Sequence, residues 1–122
     1  MRLTNLQIYN YAVALNEVFN DENQKLPIKI NFYLQKNKNT LLNLGQDIEQ
    51  NRMNIAREYG QLSEDGEHYI IPADKLEMAQ KEISDLFALE QDVNIYTINI
   101  DNLDDNLTLT TAQMEALMFM ID

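Results

Sequence analysis

An apolar stripe at helical spacing runs through residues 28–59 and constrains the fold more than any other feature of the chain. Its members step by three and four residues, as in a heptad repeat. They are Ile30, Leu34, Asn37, Leu41, Leu44, Ile48, Asn51 and Ile55. Pro27 is tolerated at a helix start and Gly60 is typical of a helix end. The pattern predicts one helix over 28–59, whose stripe either packs on the rest of the chain, which we favour, or forms a dimer seam.

A shorter helix is predicted over residues 4–19. Thr4 and Gln7 have the spacing of a capping box, in which each side chain bonds to the backbone N–H of the other residue. The polar run 20–23 is expected to end this helix. Because the long helix follows after a short connection, the two helices are expected to pack as an antiparallel hairpin.

Two strands are predicted in the second half of the chain. The segment 63–67 contains Asp-Gly, which is turn chemistry, and 68–71 (HYII) follows it as a short strand. The segment 93–100 (VNIYTINI) is rich in β-branched residues and gives the clearest strand pattern. We expect these two segments to pair as a ribbon on the helices, because two strands alone are marginally stable.

Two further helices are predicted. Residues 74–77 repeat the capping-box spacing and open a helix over 73–90, and Thr110 with Gln113 does the same for a helix over 111–121. Four side chains of the last helix are expected to face the core: Met114, Leu117, Met118 and Ile121. Its methionines (Met114, Met118 and Met120) leave an adaptable binding surface open as a second interpretation, although core packing is favoured.

Together these elements predict an α+β fold that is mostly helical, with a long antiparallel helical hairpin, two shorter helices and a two-stranded β ribbon. The 122 residues have the length of one domain. Residues 1–60 form the helical hairpin of this domain, and residues 61–122 form its acidic β-α-β-α half.

The excess charge of the chain lies in one half. Residues 1–60 carry seven Lys or Arg and six Asp or Glu, whereas residues 61–122 carry two basic and fourteen acidic side chains. Such a half predicts one acidic surface, which repels nucleic acids and membranes and attracts basic proteins. The candidate partner-binding residues are Glu64, Asp65, Glu67, Asp74, Glu77, Glu82, Asp85, Glu90, Asp92, Asp101, Asp104 and Asp105.

No catalytic motif stands out in the sequence. Cysteine is absent, which excludes a thiol nucleophile, a thiolate metal site and a disulfide framework. His68 is the one histidine and would have to be the base for any serine nucleophile, but neither Ser63 nor Ser84 lies in a motif. The three glycines form no phosphate-binding loop. We therefore predict a protein that is not an enzyme and uses no cofactor.

Two acidic segments have side chains that metals can use. The acidic turn 64–68 combines carboxylates with His68, a set that can bind zinc or manganese. The loop 101–105 offers carboxylates to calcium, but it lacks the glycine and the terminal glutamate of an EF-hand. We interpret both segments as solvated turns and predict no metal.

A cluster of lysines in the first half is positively charged, whereas the chain as a whole is negatively charged. Its members, which we interpret as the solvated face of the long helix, are Lys25, Lys29, Lys36 and Lys38. Affinity for nucleic acid depends on neutralising phosphates, so direct binding is not expected at a net charge of −11. No apolar run approaches the ~20 residues that cross a bilayer, and no secretory signal is evident. A cytoplasmic location is expected, which also fits the absence of cysteine.

Four segments resemble a known group of proteins. They are 3–10 (LTNLQIYN), 26–37 (LPIKINFYLQKN), 56–60 (AREYG) and 109–121 (LTTAQMEALMFMI). Together they resemble a family of small proteins of unknown function encoded by tailed phages and prophages of Gram-positive bacteria, often near tail and lysis genes. These motifs are helix caps and helix starts. The resemblance therefore implies a phage gene product acting inside a bacterial host cell, and it assigns no catalytic or ligand residue.

Small size, one-sided charge and this resemblance predict a non-enzymatic protein that binds another protein. The sharpest hypothesis is an acidic inhibitor of a host defence nuclease, of the anti-CRISPR type, that occupies a basic nucleic-acid-binding surface. The expected partner is thus a host protein with a basic surface, with a CRISPR nuclease as the leading candidate. The alternative is an accessory or assembly protein of the virion tail or the lysis module, and a homodimer through the long helix stays open.

Overall fold

The structure, a computed structural model, describes residues 1–20, 25–103 and 107–122. Within these residues the helices are α1 (Asn5–Val18), α2 (Ile28–Tyr59), α3 (Ala73–Ala88) and α4 (Thr111–Leu117). The strands are β1 (Arg2–Thr4), β2 (Gln61–Leu62), β3 (Tyr69–Ile70) and β4 (Glu90–Asp92). Two 3₁₀ turns, Ile100–Asn102 and Met118–Met120, complete the regular structure of this part. The fold is α+β and mostly helical, as predicted.

The helical hairpin is formed by α1 and α2. Tyr9 and Ala12 of α1 lie beside Gly45 and Glu49 of α2. The observed bounds of α2 are those that the sequence predicts, and those of α1 differ from the prediction by one residue at each end. Most of the polar run 20–23, which we expect to end α1, lies outside the described residues.

Two of the three capping boxes that the spacing predicts are confirmed. Thr4 Oγ1 accepts the N–H of Gln7 at 3.1 Å, while Gln7 Oε1 accepts the N–H of Thr4 at 2.9 Å. Thr110 and Gln113 make the same reciprocal pair at the start of α4. The third box, in 74–77, is wrong, because α3 begins directly after Pro72 and has no side-chain cap. Asp74 is already helical there, in the first turn, where its charge is favourable to the helix dipole.

The core lies between α1, α2 and the last segment of the chain. The large side chains that are fully buried include Ile8 and Leu15 of α1, Leu34 and Leu41 of α2, and Met120. Ile30 and Ile48 of the predicted stripe are buried as well. This confirms the favoured interpretation for these positions, since the side chains that a dimer seam would use already pack inside the protein.

The last helix buries different side chains from those that the sequence predicts. Leu117 is buried, but Met114 is exposed and Met118 is 65% exposed, so the expectation that these two methionines face the core is wrong. The chain tightens into the 3₁₀ turn Met118–Met120 after Leu117. Met120, three residues after Leu117, is fully buried, so this methionine and not Met118 joins the core.

The strands pair differently from the prediction. β1 pairs antiparallel with β4, with Arg2 opposite Asp92, and β2 pairs antiparallel with β3, with Gln61 opposite Ile70. The described residues thus contain two short sheets, and the expected pairing of 68–71 with 93–100 is wrong.

The segment 93–98 fails to form the predicted strand because its backbone bonds to other partners. The N–H of Val93 donates to the carbonyl of Met1 at 2.7 Å. The side chain of Asn37 donates to the carbonyl of Tyr96 and accepts its N–H, both at 2.8 Å. Ile98 forms a parallel bridge with Ile121 near the end of the chain. Val93 and Ile98 are buried, so the β-branched pattern does mark side chains of this segment that face the core.

Candidate functional site

Most of the candidate carboxylates lie on α3 or on the elements directly before and after it in the chain. Nine of the twelve candidate carboxylates lie there, and we call them the acidic strip. They are Glu64, Asp65, Glu67, Asp74, Glu77, Glu82, Asp85, Glu90 and Asp92. At 1.5 Å per residue, the 16 residues of α3 separate the two ends of the strip by roughly 24 Å.

The remaining three candidates are not part of this strip. Asp101 lies in the 3₁₀ turn Ile100–Asn102, in the segment that leads to α4. Asp104 and Asp105 lie outside the described residues. The predicted second acidic group is therefore represented by one exposed carboxylate in the described part of the chain.

The first end of the strip is the turn between β2 and β3. Gly66 has a φ of 74°, in the left-handed region that favours glycine, so the predicted Asp-Gly turn is confirmed. The Asp65 carboxylate accepts the hydroxyl of Ser63 and, at 3.0 Å, the N–H of Glu67. Ser63 Oγ in turn accepts the N–H of His68 at 3.1 Å. These bonds fold the turn with its own side chains and leave its carboxylates exposed.

The pKa of Asp65 is expected to lie below the usual range for an aspartate. The hydrogen bond from Ser63 is the main cause of the lowered pKa, and the N–H of Glu67 adds to it. A lowered pKa stabilises the folded turn above the ordinary pKa of aspartate, and this stabilisation is lost as the pH falls through the lowered value. In an NMR titration, Ser63→Ala should raise the pKa of Asp65, whereas Ser84→Ala on α3 should leave it unchanged. An equal response to both variants would contradict the assigned bond.

The middle of the strip is the solvent-facing side of α3. Asp74, Glu77 and Asp85 are exposed, and their spacing of three and eight residues places them on one face of the helix. Lys81 lies on the same face, four residues from both Glu77 and Asp85, and offsets part of their charge. Glu82 is half-buried and accepts the hydroxyl of Tyr59 at 2.8 Å, which raises the pKa of Tyr59.

The far end of the strip is partly neutralised by the first strand. Arg2 Nε donates to Glu90 at 2.9 Å, and Arg2 Nη1 donates to Asp92 at 3.4 Å. The hydrogen bond to Glu90 is the main cause of the raised pKa of Arg2. These side chains are exposed, and exposed ion pairs typically contribute about 0–1 kcal/mol to stability. Their main effect is on charge, since two carboxylates of the strip share a cation from the other half of the chain.

The strip remains acidic after these pairings. Its nine carboxylates outnumber by six the cations that lie on α3 or form an ion pair with the strip, which are Arg2, Lys75 and Lys81. Of the exposed carboxylates of the strip, six make no ion pair within 4.0 Å in the part of the chain that the structure describes. They are Glu64, Asp65, Glu67, Asp74, Glu77 and Asp85, and all are exposed. The arrangement can therefore attract a cationic surface along the turn and α3.

The candidate metal ligands in the same turn come close together. One ligand atom each of Asp65, Glu67 and His68 lies within 4.8 Å of the others, and all three side chains are exposed. Glu64 is not part of this group. Exposed acidic groups with such spacing are common without a metal, and the hydrogen bonds of Asp65 already explain its position. The interpretation as a solvated turn is therefore retained.

The basic cluster of the first half is accompanied by aromatic rings, which the charge pattern of the sequence does not indicate. The ammonium of Lys29 lies 5.7 Å from the ring centre of Tyr33, and that of Lys36 lies 5.6 Å from the ring centre of Phe32. Tyr33 stacks on Tyr96 at 5.1 Å between ring centres. The first turns of α2 thus present a surface of lysines and apolar rings, which is opposite in character to the acidic strip.

Comparison with protein families, with curated proteins and with solved structures found no match. The resemblance to phage proteins therefore stays a prediction. Among the helices of the described residues, none has both the length and the apolar character needed to cross a membrane.

Proposed function

We propose that this chain is a phage-encoded, non-enzymatic inhibitor that binds the basic nucleic-acid-binding surface of a host defence nuclease, as anti-CRISPR proteins do. One observation carries the proposal: six exposed carboxylates without ion pairs lie along the β2–β3 turn and one face of α3. The resemblance to phage proteins supplies the context. The bacterial host cytoplasm is the location that follows from this proposal.

The physical basis is competition for positive charge. Double-stranded DNA presents one negative charge for about every 1.7 Å of helix axis, and a nuclease channel meets this charge with lysine and arginine. In guide-loaded nucleases the channel recognises the backbone of the heteroduplex and not its sequence. A strip of carboxylates on a helix can occupy such a channel, because complementary charge speeds association and orients the two proteins.

The helix gives this strip a fixed geometry. α3 is held by the two helices of the hairpin, since Tyr59 of α2 donates to Glu82 and the side chain of Asn5 of α1 donates to the carbonyl of Leu86 at 2.8 Å. Ala79, on the opposite side of α3 from Asp74 and Asp85, is fully buried. A fixed helix holds its carboxylates in place before binding, which reduces the conformational entropy lost in the complex.

The direct test uses purified, guide-loaded Cas9-type nucleases from Gram-positive hosts. Complex formation and cleavage of target DNA are measured while the salt concentration rises from about 50 to 300 mM. We expect a stoichiometric complex and loss of cleavage at low salt, both weakening steeply as salt rises. Binding to no member of the panel, or binding that does not respond to salt, would overturn the proposal. Recovery of the protein in purified virions would instead favour a role in the tail or lysis module.

A matched pair of double variants locates the interaction. Glu77→Gln/Asp85→Asn removes two charges from the acidic strip, whereas Glu17→Gln/Asp47→Asn removes two from exposed positions on α1 and α2. We expect the first variant to bind the nuclease about three- to tenfold more weakly at low salt, as the loss of two exposed ion pairs implies. The control should change the affinity by less than about twofold. Equal weakening by both variants would indicate a response to net charge alone.

A further inference from the structure

An apolar groove lies beside α4, where two separate segments of the chain meet. Its volume is about 330 Å³, within the range of about 300–1,000 Å³ that is typical of ligand pockets. We call it the methionine groove, and the residues that line it are Ile100, Thr111, Met114, Glu115, Met118 and Ile121. None of them belongs to the acidic strip.

The groove has an adaptable apolar lining on a fixed base. Met114, Met118 and Ile100 are exposed, and methionine side chains adjust to apolar partners of different shape. Two hydrogen bonds join the segment before Ile100 to the end of the chain. The N–H of Ile98 donates to the carbonyl of Met120 at 2.7 Å, and the N–H of Asp122 donates to the carbonyl of Ile98 at 2.8 Å. The groove is therefore present before any partner binds.

The rim of the groove is acidic. Glu115 is one of the lining residues, and the exposed Asp101 and Asp122 directly follow Ile100 and Ile121 in the chain. The lining residues include no lysine or arginine. An apolar floor with acidic edges is complementary to a helix that presents apolar side chains between lysines.

The first turns of α2 present such a surface. Ile28 is 88% exposed and Phe32 is 52% exposed, and they lie four residues apart on one side of the helix. Lys29 and Lys36 flank Phe32 on the same side. From Lys25 to Gln46 the chain has four lysines and no acidic residue, so this end of α2 is locally basic. We call Ile28, Lys29, Phe32 and Lys36 the basic apolar patch.

We infer that the methionine groove of one copy of this chain binds the basic apolar patch of a second copy. Ile28 and Phe32 of one copy enter the groove beside Met114 and Met118 of the other. The lysines of the patch then face Asp101, Glu115 and Asp122. The contact joins two different surfaces, so each copy offers one groove and one patch. The inference goes beyond the proposed inhibition and does not rest on it, because the acidic strip takes no part in this contact.

Charge reversal on each side, followed by mixing, tests the inference. Variant one is Lys29→Glu/Lys36→Glu, and variant two is Asp101→Lys/Glu115→Lys. Sedimentation velocity of the unmodified full chain should show self-association that weakens as salt rises. Each variant alone should self-associate at least about tenfold more weakly, as expected when two complementary pairs become repulsive. An equimolar mixture should associate again, because the acidic patch of variant one matches the basic groove of variant two.

Matched controls and methionine NMR locate the contact. Lys75→Glu/Lys81→Glu on α3 makes the same charge change outside the patch and should leave self-association intact. With labelled methionine methyl groups, raising the protein concentration should shift the signals of Met114 and Met118. The signal of Met78, which is 58% exposed on α3, should not move.

Three results would overturn the inference. The first is a protein that stays monomeric at every concentration, whether or not its groove binds some other molecule. The second is self-association that neither variant weakens, and the third is a mixture of the two variants that stays dissociated. None of these results bears on inhibition of the nuclease, which is measured with the acidic strip unchanged.

Discussion

Replacing Asn37 by leucine is expected to lower the free energy of unfolding by about 2–3 kcal/mol. Asn37 is completely buried, and its amide pairs with both the N–H and the carbonyl of Tyr96 at 2.8 Å. Leucine has a similar size but no polar atoms, so the backbone groups of Tyr96 would lose both partners at a part-buried position. Leaving a buried donor or acceptor unsatisfied costs about 1–3 kcal/mol for each group, which sets the expected size. Urea denaturation of the variant measures it.

The matched control is Asn51→Leu in the same helical stripe. Asn51 is exposed, and its side chain donates to the carbonyl of Asp47, one helical turn before it. Its replacement should change the free energy of unfolding by less than about 0.5 kcal/mol, as is usual for surface positions. Near-ultraviolet circular dichroism should report a local change in Asn37→Leu alone, since Tyr96 stacks on Tyr33. Equal stability of the two variants would contradict the structural role assigned to Asn37.

The helices could be predicted because their signals are local. The capping boxes of Thr4 and Thr110 depend on residues three apart, and the stripe of α2 depends on steps of three and four residues. The periodicity does not show which asparagine of the stripe is buried. That depends on Tyr96, which lies 59 residues beyond Asn37 in the chain.

The pairing of β1 with β4 could not be predicted because the two strands are distant in the chain, with Arg2 opposite Asp92. The β-branched composition of 93–100 indicates an extended backbone with buried side chains, and Val93 and Ile98 are indeed buried. It does not indicate that β1 will take β4 as its partner, or that a side chain of α2 will bond to the backbone at Tyr96. Composition thus predicts that β-branched side chains of this segment are buried, while long-range packing decides the partners of its backbone.

The candidate site could likewise be predicted where it depends on local sequence and not where it depends on distant contacts. Acidic composition together with a predicted helix places most of the carboxylates along α3, because a charged helix face lies in solvent. Arg2 comes from the first strand, so its neutralising effect on Glu90 and Asp92 depends on the pairing of β1 with β4. The methionine groove joins Ile100 to α4, so it depends on contacts between segments that are separate in the chain. Its one signal in the sequence is the methionine content of the last helix.

Replacing Gly60 by alanine is expected to destabilise the protein by about 1–3 kcal/mol, as overpacking typically does. A β-carbon at this position would lie 2.5 Å from the carbonyl oxygen of Ala56, the atom that accepts the N–H of Gly60. It would also lie 3.3 Å from the β-carbon of Tyr69 on β3. The φ of Gly60 is −104°, which any residue adopts, so lack of space and not backbone conformation selects glycine here. The sequence predicts the end of α2 correctly, although not for this reason.

Gly45→Ala is the matched control, because it adds the same methyl group inside the same helix. Its β-carbon would lie 4.0 Å from that of Ala12, an ordinary contact. Alanine is favoured over glycine in a helix interior, so this variant should be more stable by about 0.5–1 kcal/mol. The end of α2 at Gly60 leads into β2 and the acidic turn, so crowding there should weaken the hydrogen bonds that Ser63 and Gly66 donate within the turn. In Gly60→Ala alone, hydrogen exchange of these two backbone amides should therefore be faster. Urea denaturation that gives both variants the same sign would contradict the close packing at the end of α2 and the support it gives to the acidic strip.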